Sequence, residues 1–194
     1  HHRYKERGLW WPALARNKKS VSANLRESRG QDLVRRLIET ADVLVENFKP
    51  GTLEKWGLAP SALHEINPGL VIARVSGYGQ TGPYADRPGF ASVGEAMGGL
   101  RYINGFPDQP PPRMGISLGD TPAGMFAAQG VLMALYWRDT VGKGRGQVID
   151  ASITESCFAM MESALSEYDK VGFVREPSGT GLANVSPSNI FPTS

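Results

Sequence analysis

Asp42-Val-Leu-Val-Glu-Asn-Phe-Lys-Pro-Gly51 decides the fold of this 194-residue chain. Its first six residues form a short apolar run of the kind found in strands covered on both faces, and Pro-Gly marks a turn behind it. Upstream, Gln31–Ala41 sets Leu33, Val34, Leu37 and Ile38 at helical spacing, with Ser28 or Arg29-Gly30 as its start. Ser20–Leu25 alternates as a short strand does. Downstream, Thr52–Trp56 and Pro60–Asn67 read as short helices, and Leu70–Val75 as a second buried strand. Strand, helix, strand, helices, strand at this spacing predicts a doubly wound α/β fold with a parallel sheet.

Composition agrees: 41% of residues are hydrophobic and 21% charged, enough for a core. A net charge of +2 is too mild to argue for nucleic acid. A single cysteine, Cys157, excludes an internal disulfide framework and suits a reducing, cytoplasmic setting. No apolar run is long enough to span a membrane. The chain opens on a loop-like aromatic stretch, His1 to Arg16, and stops at Phe191-Pro-Thr-Ser194. Neither end closes an element, so the chain is expected to be part of a longer polypeptide.

From Gly77 to Gly119 the texture is turn-rich, around Gly77-Tyr-Gly-Gln-Thr-Gly-Pro83 and Asn104-Gly-Phe-Pro-Asp-Gln-Pro-Pro-Pro-Arg113, with a small-residue helix at Ala91–Leu100 between them. A long helix follows at Asp120–Asp139, then a strand at Gln147–Ala151 and a last helix at Glu155–Lys170. Loops beside strand ends are where open α/β sheets bind ligands. Within Gly115-Ile-Ser-Leu-Gly-Asp-Thr-Pro-Ala-Gly124, Asp120 opens the long helix, where free N–H groups stabilise an anion. On that segment alone the plainer reading, a helix N-cap, prevails.

There is no Walker phosphate loop, no GxGxxG that opens a helix and no His/Cys metal spacing. His64 reads as a solvated helix residue and Cys157 as core filler. Asn47 and Phe48 follow a strand end and suit an amide-bearing, aromatic ligand such as a nucleotide-tailed thioester, or an ordinary turn. Arg16, Lys18, Lys19, Arg26 and Lys55 fall near strand ends; each alone reads as solvated charge, and together they could meet phosphates.

Taken in order, Arg16-Asn-Lys-Lys-Ser20, Asp42–Gly51, Asn67-Pro-Gly-Leu-Val71, Gly77-Tyr-Gly79, Leu118-Gly-Asp-Thr-Pro-Ala-Gly124 and Thr140-Val-Gly-Lys-Gly-Arg-Gly-Gln-Val148 resemble the class III CoA-transferase (CaiB/BaiF) family. The likeness runs from about Trp10 to the C-terminus. It implies a Rossmann-like parallel sheet with flanking helices, part of an interlocked-dimer fold. Family members are roughly twice this length. Residues 1–194 would then be a partial CoA-binding domain, and from about residue 171 a linker would lead to a second domain.

The resemblance implies that Asp120 is the nucleophile, attacking an acyl-CoA and passing through an aspartyl-CoA thioester to a carboxylic acid acceptor. For CoA it implies Ala23, Arg26, Asn47, Phe48, Lys55 and Trp56: Arg26 and Lys55 on phosphates, Ala23, Phe48 and Trp56 against adenine or pantetheine. Lys55 stands where arginine is common, which weakens a two-pronged phosphate grip. Phe90 and Gly119 would line the active site, with Gly119, Ala123 and Gly124 leaving room for a thioester. The segment Ala183–Asn189 matches a loop that closes over the site, without its glycine-rich form. No cofactor and no metal is implied, and a homodimer is. Racemases of the family place a histidine where Phe90 stands, and Phe90 cannot exchange a proton, which disfavours that alternative. Formyl-CoA transferases tend to have a tyrosine and an acid there, so Phe90-Ala91 leaves the substrate open. A non-catalytic CoA-binding protein is the remaining alternative.

Overall fold

The computed structural model describes residues 2–182 and 185–193. The opening stretch, expected as loop, forms a hairpin of β1 (Arg3–Tyr4) and β2 (Arg7–Gly8) followed by helix α1 (Trp10–Leu14). Lys5 and Glu6 both take positive φ, 46° and 61°, which matches the twist a two-residue hairpin turn needs. Ser20–Leu25 is not a strand: no described segment pairs with it, and an unpaired run gains no ladder hydrogen bonds.

The frame is a parallel sheet of β3 (Val43–Glu46), β4 (Val71–Ser76) and β5 (Val148–Ser152), with β4 in the centre. Val43 pairs with Val71 and Ile72 with Val148. Between β3 and β4 lie α3 (Thr52–Lys55) and α4 (Pro60–Ile66), and α2 (Ser28–Ile38) precedes β3. Between β4 and β5 lie α5 (Ala91–Met97) and the 21-residue α6 (Asp120–Thr140).

Helices cover both faces. Ile72 packs with Ile38, Leu53, Leu58, Leu63 and Leu70 under α2, α3 and α4. Val75, an odd number of residues on and so on the opposite face of the strand, packs with Ala123, Ile153 and Cys157 of the second layer. Central β4 is therefore sealed, with Val71, Ile72 and Ala73 fully buried, which is why its sequence reads as a continuous apolar run. The doubly wound α/β expectation holds.

The last expected helix is two helices, α7 (Ile153–Ala159) and α8 (Ala164–Val171). Met161 turns inward beneath Gly99, where an added Cβ would lie 3.0 Å from the Met161 methyl, and Glu162 takes φ 53° to make that turn. Beyond α8, Arg175 forks onto Glu167 through Nε (2.8 Å) and Nη2 (2.7 Å). That guanidinium, helped by the Ser163 hydroxyl, holds the Glu167 carboxyl down to about 2. A carboxyl lowered in the folded state adds stability above its unfolded value of 4.5, lost as pH falls towards about 2. A carbon-detected NMR titration is expected to place the Glu167 midpoint near 2 and to return it to the ordinary carboxylate range in Arg175→Gln.

His64 departs from its sequence reading. It is half-buried, and its Nε2 lies 2.9 Å from the Leu70 carbonyl, fastening α4 to the start of β4. No helix among the described residues is long and apolar enough to cross a membrane. Helix α6 is nonetheless apolar on several sides, with Met125, Leu132, Met133 and Tyr136 all more than 60% exposed.

Candidate active site

The carboxyl edge of the sheet carries both groups of expected site residues. Asp120 is the first residue of α6, and one turn later Ala123 is buried against Val75 near the end of β4 and Ile153 and Cys157 of α7, the helix that follows β5. That contact fixes the N-terminus of α6 at the end of the sheet where strands deliver ligands. Asp120 itself is exposed and lines a hollow of about 870 Å³ with Trp10, Leu14, Arg113, Met114, Gly115, Ile116, Ser117 and Thr121. The turn leading to it is tight, with Thr121 donating to the Ser117 carbonyl from both its backbone N–H (3.1 Å) and its hydroxyl (2.8 Å).

Gly119 serves packing rather than space. It is buried, and a Cβ there would lie 2.5 Å from the Ala91 carbonyl oxygen at the start of α5. Ala123 likewise faces the core, so of the three small residues expected to make room, only Gly124 has open space around it. Phe90, the residue capping α5, is 75% exposed beside this contact. Its loop is set by Gly77 and Gly89, which meet backbone to backbone, a Cβ on Gly77 falling 2.6 Å from the Gly89 Cα. Cys157 is core, as expected: burial, then the charges of Glu95 and Asp120, push its thiol up.

The second group stands behind β3. Asn47 and Phe48 are exposed, and the Phe48 ring meets Trp56 edge-on with centroids 5.2 Å apart. Lys55 precedes Trp56 and is exposed. Behind this wall lies a charge cluster that the sequence reading missed. Arg74 of β4 donates from Nε to Glu46 (2.7 Å) and from Nη1 and Nη2 to Glu54 (2.7 and 3.2 Å). Glu46 also accepts from the Phe48 backbone N–H at 2.8 Å. The Arg74 side chain's hydrogen bond holds the Glu54 carboxyl below its usual range against a smaller opposing effect of burial. The signal was available: Glu46 and Arg74 are charges inside runs that otherwise read as buried strand, where charge is kept only if paired.

Ala23 and Arg26 lie in the exposed segment before α2, and no hydrogen bond or ion pair among the described residues joins them to Phe48 or Trp56. Ala183 and Asn184 of the expected closing loop lie outside the described residues. Trp10, Arg113 and Glu95 were also missed; the first two sit in segments with no regular pattern, and only the fold brings them near Asp120.

A family model, CoA-transferase family III, matches residues 1–194. The chain belongs to CoA-transferase family III. It is 58% identical over 192 residues to succinyl-CoA–D-citramalate CoA-transferase of Chloroflexus aurantiacus, covering 99% of this chain and 47% of that protein. It is 45% identical over 184 residues to the succinyl-CoA–L-malate CoA-transferase alpha subunit of the same organism, covering 94% and 42%. The crystal structure of a CAIB/BAIF family protein from Brucella suis superposes with a TM-score of 0.86 at 33% identity, covering 95% of this chain and 49% of that one. The family III chain described here thus spans about half the length of the curated relatives it matches.

Proposed function

We propose that this family III chain carries the nucleophile and CoA-binding wall of an acyl-CoA:carboxylate CoA-transferase. The observation that carries the reading is Asp120, held at the open N-terminus of α6 and facing a hollow at the carboxyl edge of the sheet. An oxygen of the Asp120 carboxylate attacks the donor thioester carbonyl, forming a mixed anhydride and expelling CoA thiolate. The thiolate attacks the aspartyl carbonyl of the anhydride, freeing the donor acid and leaving aspartyl-CoA thioester. The acceptor carboxylate then attacks that carbonyl, giving a second anhydride and thiolate. Attack of the thiolate on the acceptor acyl carbon releases the new CoA ester and regenerates Asp120. Covalent catalysis of this kind conserves the thioester's energy through the exchange. No group beyond the CoA ester is needed for it.

Each neighbouring feature has a part in this reading. The α6 N-terminus stabilises the attacking and returning carboxylate. Phe48 and Trp56 offer aromatic surface to adenine or pantetheine, while Arg26 and Lys55 offer cations to phosphate. Arg113, in the hollow with Asp120, is a cation suited to a free carboxylate of an acid substrate. The relatives' names point to succinyl-CoA as donor and a hydroxydicarboxylate as acceptor. The apolar side chains left exposed on α6 fit burial by a second domain beyond about residue 171 and by a second copy in an interlocked dimer. Phe90 cannot exchange a proton, which disfavours racemase chemistry.

The test is peptide mass spectrometry on the full-length protein after incubation with succinyl-CoA and hydroxylamine. An Asp120 peptide converted to the hydroxamate is the expected result. An unmodified peptide from protein that still binds CoA would sink the transferase reading and leave a CoA-binding protein.

A further inference from the structure

Glu95 is a fully desolvated carboxylate, 2% exposed, in a helix otherwise built of small and apolar residues. Its Oε1 accepts from the Gly119 backbone N–H at 3.2 Å, and its Oε2 from Arg101 Nη2 at 2.8 Å. Gly119 is the N-cap of α6, so this bond is made on the residue immediately before Asp120. In a capping box the carboxylate that accepts from the N-cap N–H comes from the helix's own first turn. Here a different helix supplies it.

Helix α5 is in turn immobilised. A Cβ on Gly94 would fall 2.5 Å from the Ile153 Cγ2, and one on Gly98 would fall 2.6 Å from the Cys157 Cβ. The flanking glycines therefore press α5 onto α7, and Glu95, between them, reaches across to α6. The Cys157 thiol lies 3.9 Å from the Gly119 carbonyl, so α7 touches the same residue, at the peptide that leads into Asp120. Arg101 balances the Glu95 charge, which would otherwise repel the Asp120 carboxylate nearby.

We propose that Glu95 is a positioning residue for the transfer reaction: from α5 it fixes the backbone at Gly119, between Leu118 and Asp120, and so sets the direction from which the Asp120 carboxylate meets the thioester. The inference rests on the reading of Asp120 as nucleophile. A nucleophile displaced by about 1 Å loses roughly 100-fold in rate, whereas CoA bound on the Phe48–Trp56 wall should not register the change.

The test compares wild type, Glu95→Met and Glu95→Gln in the full-length protein. Methionine fills the space without an acceptor, and glutamine keeps an oxygen for the Gly119 N–H. The rate of Asp120 hydroxamate formation at saturating succinyl-CoA is expected to fall about 100-fold in Glu95→Met, with KM changed less than about threefold. In Glu95→Gln it is expected to stay within about fivefold of wild type, the loss of a charge-assisted bond. Hydrogen exchange of the Gly119 amide should accelerate in Glu95→Met alone. Wild-type rates in Glu95→Met would overturn the proposal, as would unfolding of that variant or equal losses in both. Absence of the adduct from wild type would overturn this proposal together with the transferase reading; adduct in wild type with no difference between variants would overturn this one alone.

Discussion

Asp120→Asn is expected to lower CoA-transfer turnover by about 10⁴-fold or more, the scale on which removal of a covalent nucleophile is felt. The amide matches the carboxylate in size, but its oxygen is a poor nucleophile and cannot accept CoA as a thioester. The structural cost should be small, because Asp120 is exposed and its only general contribution is to the α6 dipole, worth about 0.3–1 kcal/mol. The proposed CoA wall stands behind other elements, β3 and α3, so calorimetric affinity for CoA should stay within about threefold, under about 1 kcal/mol. Steady-state transfer from succinyl-CoA to a dicarboxylate acceptor, measured beside CoA binding, separates the two effects. Turnover within about tenfold of wild type would remove Asp120 from the chemistry. Parallel loss of CoA binding would mean that the variant had damaged the fold instead.

How much of this was legible in the sequence depends on whether a property is local. Strand β4 announces itself because a parallel strand covered on both faces reads as a nearly continuous apolar run, and α6 because an acid, a proline and a run of small residues make a helix start. Ser20–Leu25 misled for the converse reason: alternation is local, but a strand exists only where another offers it a ladder. The break between α7 and α8 was equally invisible, since it follows from Met161 finding space under Gly99, far earlier in the chain. At the candidate site, the position of Asp120 at the start of α6 and of Phe48 just behind β3 was readable from motif order. Glu95, Arg74 and Glu46 were not assigned roles, although a lone charge within an apolar or small-residue run is itself a sign that a partner awaits in the fold. Gly119 shows the limit most clearly. Its smallness was legible, but whether that makes room for a ligand or for α5 is decided only by tertiary packing.

Arg74→Met is expected to destabilise the protein by about 3–5 kcal/mol, the usual consequence of stranding one member of a buried ion pair. Arg74 is 6% exposed and Glu46 5%, so the orphaned Glu46 carboxylate cannot recover its hydration and, among the described residues, keeps the Phe48 N–H as partner. Glu54 adds little to that figure: its side chain is 39% exposed and returns to water when the guanidinium is gone. The loss is a large share of the roughly 5–15 kcal/mol that holds a typical domain folded. Chemical denaturation should show the midpoint fall without a change in slope. The double variant Glu46→Gln/Arg74→Met should recover part of the loss, because the buried charge has been removed along with its partner. The pH dependence should change as well. Arg74 holds the folded Glu54 carboxyl below its unfolded value of 4.5, so this contribution is present above that pH and is lost as pH falls through the folded value. Arg74→Met should therefore lose that part of the acid sensitivity. Function should follow structure here, since the same cluster fastens the Phe48 backbone and the helix leading to Trp56. CoA affinity is expected to fall in the single variant even under conditions where it remains folded, and to return partly in the double. A single variant as stable as wild type would show that the three charges are solvated in solution and that the aromatic wall stands without them.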